Sequence, residues 1–210
     1  MRIRGEILIG DSIRLGYENR VRELLGKSFT VYSPAENCRF TKYALWGMYA
    51  WMEGWGNPRA DVIHWNTGVW DLHHATADGQ VFTPLDEYLE ANRRLAYQME
   101  SYSKNLIWAT TIPGGPALND RVKQNALINT DASAPKVFLT DGEKRWNDAV
   151  RRYNRENVLQ LAARGVAIDD HHSAIAQDTA RYISADGIHP SEEGYELLAR
   201  LTAESILSRL

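Results

Sequence analysis

The sequence predicts an α/β fold, a three-layer α/β/α sandwich built on a mainly parallel sheet. Short apolar runs alternate with longer amphipathic stretches along the whole chain, and the last two of those stretches carry apolar residues at helical spacing. Strand followed by covering helix is the pattern of a parallel sheet buried on both faces.

The elements follow in order. Ile7 to Ile9 reads as the first strand, and Tyr17 to Leu25 as a helix with Val21, Leu24 and Leu25 turned inward. Ser28 to Tyr32 supplies a second strand, followed by an apolar helix from Tyr43 to Met52, and Val62 to Trp65 forms a third strand. A long helix from Leu85 to Tyr102 leads into the strand Leu106 to Thr110. Asn147 to Arg164 places Val150, Tyr153, Val158 and Leu161 at helical spacing, with Gly165 as its stop. Val166 to Asp169 is then the last strand. Ser191 to Leu207 closes the chain with Tyr195, Leu197, Leu198, Leu201, Ile206 and Leu207 on one broad apolar side.

Between Thr111 and Arg145 the pattern breaks. Pro113-Gly114-Gly115-Pro116 and Asp141-Gly142 are turn signals, and Pro135 to Leu139 reads as a short edge strand or a lid-like packing element. The stretch is expected to be an excursion beside the carboxyl edge of the sheet, where loops shape pockets.

At 210 residues, with no linker composition and no repeat, a single domain spanning 1–210 is expected. A formal charge of -3 gives no broad attraction to nucleic acid or to acidic membranes. No P-loop or dinucleotide glycine pattern is present, so no cofactor is expected. The doublets His73-His74 and His171-His172 would diverge along regular structure, and no metal site is expected. Cys38 is the one cysteine, which excludes an intrachain disulfide. The apolar run Ile7-Leu8-Ile9 is too short for a secretory core and serves better as a strand, so a cytoplasmic location is the expectation. Oligomeric state is left open, a homo-oligomer included.

Two short segments carry the chemistry. Ile7-Leu8-Ile9-Gly10-Asp11-Ser12 runs a strand into a polar turn that can hold the Ser12 hydroxyl at the carboxyl edge of a sheet, where ligands enter. Asp186 and His189 sit three residues apart just before the last helix, so one turn can hold a carboxylate against an imidazole. A serine hydroxyl needs such a base at neutral pH, and the base needs an acid to fix its tautomer and stabilise its cation. Each segment alone also fits a plain turn or a helix cap, with Ser191 as the N-cap of the last helix.

Together they resemble the SGNH hydrolases, or GDSL-type esterases. Gly10-Asp11-Ser12-Ile13 matches the family's first block and Asp186-Gly187-Ile188-His189-Pro190 its last, in order and spacing along nearly the whole chain. The resemblance implies a flavodoxin-like sheet and hydrolysis of an acyl ester through an acyl-serine, with Ser12 as nucleophile, His189 as base and Asp186 as its orienting acid. It also implies an oxyanion hole formed by the Ser12 N–H and donors from two middle blocks. The second block, Ala35-Glu36-Asn37-Cys38-Arg39, lacks the family's glycine, and a backbone N–H at or near Cys38 is the expected donor. In the third block, His64-Trp65-Asn66-Thr67-Gly68-Val69-Trp70-Asp71, Gly68 and Asp71 match, whereas Trp70 stands where the family has asparagine. Asn66 is the nearest side-chain amide and the expected donor.

Aromatic density is the remaining clue. Trp46, Trp51 and Trp55 recur near helical spacing and are expected to pack, while Trp65 and Trp70 bracket Asn66 and are expected to wall the substrate pocket. Such walls suit sugar rings or acyl chains, and an O-acetylated carbohydrate is the favoured substrate. Acyl transfer, short-chain lipase or thioesterase activity at the same serine, and non-catalytic carbohydrate binding remain the alternatives.

Overall fold

The computed structural model describes residues 3–74, 80–120 and 142–210. Five parallel strands, β1 (Arg4–Ile9), β2 (Phe29–Tyr32), β3 (Val62–Asn66), β4 (Leu106–Ala109) and β5 (Ala167–Asp169), form one sheet in the order β2-β1-β3-β4-β5. This is the flavodoxin-like order, in which the strand sequence reverses between β1 and β3 and leaves a crevice at their carboxyl ends. The register places Ile9 opposite Trp65 and Asn66 opposite Ala109. The residues that follow β1 and β3 therefore emerge side by side.

Helices that cover the sheet or border its carboxyl edge include α1 (Ser12–Leu25), α2 (Thr41–Gly54), α3 (Leu85–Met99), α4 (Glu143–Ala162), the short α5 (His171–Ala176) and α6 (Thr179–Tyr182), and α7 (Glu192–Leu207). On one face of the sheet, Leu8, Val62 and Ile107 pack with Tyr17 and Val21 of α1 and Leu198 and Ile206 of α7. On the other, Ile7, Ile9, Ile63 and Trp108 pack with Met48 and Met52 of α2 and Leu95 and Met99 of α3. The alternation of side chains along each strand thus feeds two cores, as both-face burial requires.

Local chemistry sets the helix ends. Asp11 caps α1 by accepting the Ile13 N–H at 2.9 Å, which starts this helix at Ser12 rather than near Tyr17. Ser191 caps α7 through the Gly194 N–H at 3.1 Å, with Glu192 and Glu193 in the first turn, as its sequence suggests. Gly165, at φ 79°, ends α4 while the Val166 N–H returns to the Leu161 carbonyl at 3.1 Å. Leu24, expected inward, is 52% exposed because the buried stripe of α1 runs through Tyr17, Val21 and Leu25. Leu207 likewise lies outside the buried stripe of α7.

Of the excursion after β4, residues Thr111 to Gly115 are buried, and the Gly115 N–H donates to the Gly187 carbonyl at 2.9 Å. The edge strand or lid expected at Pro135 to Leu139, and Asp141 of the second turn signal, lie outside the described residues. Among the described residues no helix is long and apolar enough to cross a membrane.

Candidate active site

Strand β1 delivers Gly10 and Asp11 to the carboxyl edge, and Ser12 is the first residue of α1. Its N–H has no acceptor within the helix and points from the positive end of the helix dipole, a setting that favours anionic oxygen. The Ser12 Oγ–H donates to His189 Nε2 at 2.9 Å, across 177 residues of sequence.

The segment that presents His189 is closed on itself. Ile183 and Pro190 form an antiparallel bridge, and the Ser184 N–H donates to the His189 carbonyl at 2.8 Å. Inside this loop Asp186 Oδ1 accepts from Ser184 Oγ at 3.0 Å, the Ile188 N–H at 2.8 Å and the His189 N–H at 2.9 Å. Its second oxygen, Oδ2, is left for the His189 ring, whose Nδ1–H donates at 2.6 Å. A carboxylate there fixes the proton on Nδ1 and leaves Nε2 as the acceptor facing Ser12. Burial raises the Asp186 carboxyl, but the Ile188 N–H and the His189 ring and N–H outweigh it and hold the group at about 2. Gly187 is needed at the turn: its φ is 81°, and a Cβ would lie 2.8 Å from the Leu118 backbone nitrogen. The side chains of His189 and Asp186 are 41% and 42% exposed, so the pair opens onto solvent.

Asn66 ends β3 beside Gly10, and its Nδ2–H donates to Asp11 Oδ1 at 3.2 Å while its Oδ1 has no partner. The fit is close enough to require glycine, since a Cβ on Gly10 would come within 2.0 Å of Asn66 Oδ1. Asp71 connects the neighbouring loops: its carboxylate accepts the Thr41 N–H, at 3.0 Å to Oδ2, and the Thr41 hydroxyl at 2.9 Å, which anchors the start of α2. Burial raises the Asp71 carboxyl to about 6, against the opposing pull of Thr83 and Thr41.

Two expected residues, Cys38 and Trp65, stand differently. The Cys38 N–H donates to the Gly10 carbonyl at 3.2 Å, so it is already committed, and its thiol is buried and pushed up to about 11 by desolvation. Cys38 joins the second loop to the first instead of facing an oxyanion. Its neighbour Arg39 takes the left-handed backbone, at φ 51°, without being glycine, and the Arg39 N–H is held by Asn37 Oδ1 at 2.8 Å. Trp65 is wholly buried on the α2 and α3 side of the sheet and cannot wall a pocket, because its position in β3 points it to the opposite face from Asn66. Trp70 is 37% exposed in the loop after β3, with its ring 5.9 Å from that of His73.

Arg14 is a residue whose part the sequence does not announce. It is fully buried, donates from Nη1 to the Pro34 carbonyl at 2.9 Å and from Nη2 to the Glu36 carbonyl at 2.7 Å, and pairs with Glu18. Its Nε and Nη2 also lie 3.4 and 3.3 Å from the Gly10 carbonyl. One guanidinium thus ties the turn at Gly10 to the second loop. In sequence it looks like any solvated helical arginine.

The structure also gathers His64, Asp169 and His171, a donor set able to hold a divalent cation. His64 and His171 each place Nε2 against the same oxygen, Asp169 Oδ2, at 2.9 and 3.0 Å, and Thr202 Oγ1 lies 3.2 Å from His171 Nε2. These are hydrogen-bond distances in a buried network that joins β3, β5, α5 and α7. Burial lowers the His64 imidazole, and the two rings outweigh burial to hold Asp169 below the usual carboxylate range.

Similarity searches place this architecture. An acetylxylan esterase from Geobacillus stearothermophilus superimposes with a TM-score of 0.69 at 16% identity, over 98% of this chain and 96% of that one. A GDSL-like lipase from Bacteroides thetaiotaomicron gives 0.68 at 14% identity, over 99% of this chain and 89% of the other. The fold is that of the SGNH, or GDSL-type, hydrolases. A lipase/acylhydrolase from Enterococcus faecalis shares it with a TM-score of 0.70 at 18% identity, over 99% of this chain and 97% of that chain. No family sequence model matches the chain, and no curated protein matches it. What these comparisons show is therefore a likeness of fold.

Proposed function

We propose that the protein is a serine esterase that hydrolyses acyl esters, with an O-acetylated carbohydrate as its substrate. The observation that carries this reading is the hydrogen-bonded chain from Ser12 Oγ to His189 Nε2 and from His189 Nδ1 to Asp186 Oδ2, at 2.9 and 2.6 Å. Hydroxyl, base and acid stand in the order that acyl transfer demands.

Ser12 Oγ attacks the acyl carbon while its proton passes to His189 Nε2. Asp186 Oδ2 holds the Nδ1–H and stabilises the imidazolium. The tetrahedral oxygen accepts from the Ser12 N–H at the start of α1 and from Asn66 Nδ2, donors set before the charge develops. His189 then gives its proton to the departing alcohol, and the C–O bond breaks. Water attacks the acyl-serine with Nε2 as base, releasing the acid and restoring the Ser12 hydroxyl.

The carbohydrate half of the proposal draws on the acetylxylan esterase of the same fold and on the partly exposed Trp70 in the loop after β3. A panel of acetylated sugars and esters of increasing acyl length, run on the parent and on Ser12→Ala, tests it. Turnover should favour acetyl esters and fall by roughly 10⁴-fold or more in the variant. A fluorophosphonate should label the parent alone. Equal turnover by both proteins would overturn the assignment of Ser12, and a preference for long acyl chains would overturn the acetyl reading.

A further inference from the structure

An aromatic surface runs away from the triad that neither the catalytic chemistry nor the core uses. It starts at Phe40, two residues beyond the Cys38 amide that bonds Gly10, and therefore at the loop beside the nucleophile. The Phe40 ring lies 4.7 Å from Phe82 and 6.1 Å from Tyr43, and Tyr43 lies 5.7 Å from Trp46. Tyr43 is fixed in place, because its hydroxyl donates to Glu36 Oε2 at 2.5 Å while Trp51 Nε1–H donates to Glu36 Oε1 at 3.0 Å. The row ends at a groove of about 780 Å³ between α2 and α3, where Trp46 stands 74% exposed beside Leu45, Glu90, Arg94 and Gln98. The sequence expectation that Trp46 packs inside is thereby corrected: it lies on the outer side of α2, opposite Met48 and Met52.

We propose that this row and groove form a docking path for a neutral glycan chain, so that the esterase site, on the reading given above, removes acetyl groups from a polysaccharide. Aromatic faces pack against the apolar faces of sugar rings, and carboxylate, guanidinium and amide groups beside them suit ring hydroxyls. Neutrality follows from the balance of the charges, two pairs together with Asp86 and Arg94, which are of opposite sign. Lys42 pairs with Glu87, and both oxygens of Glu90 accept from Arg93 at 2.8 Å, which leaves little field for a polyanion. A second copy of the chain fits less well, since the centre of a homodimer interface is depleted in charged groups. Continuity with the triad edge favours an extended occupant that reaches both places.

The test separates polymer from small ester. For Trp46→Ala, kcat/KM on acetylated xylan should fall about three- to tenfold, through KM, the loss expected for one aromatic contact. Turnover of 4-nitrophenyl acetate should be unchanged, and Trp46→Phe should restore most of the polymer activity. Retardation of Ser12→Ala protein in gels containing acetylated xylan should weaken when Trp46→Ala is added, which reads the groove without turnover. Equal polymer kinetics and equal retardation for parent and Trp46→Ala would overturn the proposal. So would a dimer in sedimentation that Trp46→Ala dissociates, which would assign the face to a second copy. A parent inactive on both esters would defeat the esterase reading, and retardation would then decide the groove alone.

Discussion

Replacing Gly10 with alanine should disable the site through a single contact. Gly10 does not adopt the left-handed backbone, so alanine meets no conformational bar there, and the effect comes from the added carbon. That Cβ would sit 2.0 Å from Asn66 Oδ1 and 2.6 Å from Arg14 Cβ. The Arg14 backbone is part of α1 and cannot yield, whereas Asn66 Oδ1 has no partner holding it, so the amide swings away and gives up its bond to Asp11. Crowding a packed position costs about 1–3 kcal/mol of stability. Loss of a preorganised oxyanion donor costs roughly 3 kcal/mol in the transition state, about a hundredfold in kcat. Steady-state hydrolysis of 4-nitrophenyl acetate, with urea unfolding in parallel, separates the two effects. Gly10→Ala and Asn66→Ala should each lower kcat about a hundredfold, and the double variant should be no worse than either, a coupling of roughly 3 kcal/mol. If the losses multiply to about 10⁴-fold, or if Gly10→Ala turns over like the parent, the oxyanion role of Asn66 is wrong.

Arg14→Met should remove the guanidinium that holds the Pro34 and Glu36 carbonyls and leave Glu18 without its partner, destabilising by roughly 3–5 kcal/mol and lowering Tm by about 10 °C; a Tm within about 2 °C of the parent would contradict the tie. Asp186→Asn keeps an acceptor for the Ile188 and His189 N–H groups but not the charge opposite Nδ1, so turnover should drop about 10⁴-fold with little change in urea midpoint. Asp71, raised to about 6 from an ordinary 3.8, binds its proton more tightly folded than unfolded, so its contribution is complete below pH 4 and is lost as pH rises through 6. Across that window the parent should lose about 3 kcal/mol relative to Asp71→Asn, and parallel stability curves would refute the shift. Asp186, held at about 2, acts with the opposite sign: its contribution is present above the ordinary 3.8 and disappears as pH falls through 2.

What could be read from the chain was what periodicity and short-range spacing encode. The strands and helices follow from apolar alternation, and the Asp186 to His189 turn is local, so both were legible. Contacts between distant segments were not. The burial of Trp65 and the exposure of Trp46 depend on which side of a strand or helix faces a neighbour, and composition near Asn66 says nothing of that. Cys38 was misplaced as a donor because its amide is claimed by Gly10, on another loop. Arg14 and the His64, Asp169 and His171 network emerge only when β1, β3, β5 and the surrounding helices are assembled. Arg39 at positive φ hides the turn of the second loop, where a glycine would have marked it.

The proposed nucleophile and base are supplied by segments 177 residues apart. A nascent chain that has emerged through β5 already displays Ser12 but has yet to receive the imidazole that sharpens it, and α7 must still dock on α1 for the bridge from Ile183 to Pro190 to hold that imidazole in reach. On the proposed reading, hydrolytic competence waits on a long-range closure that is among the slower folding events.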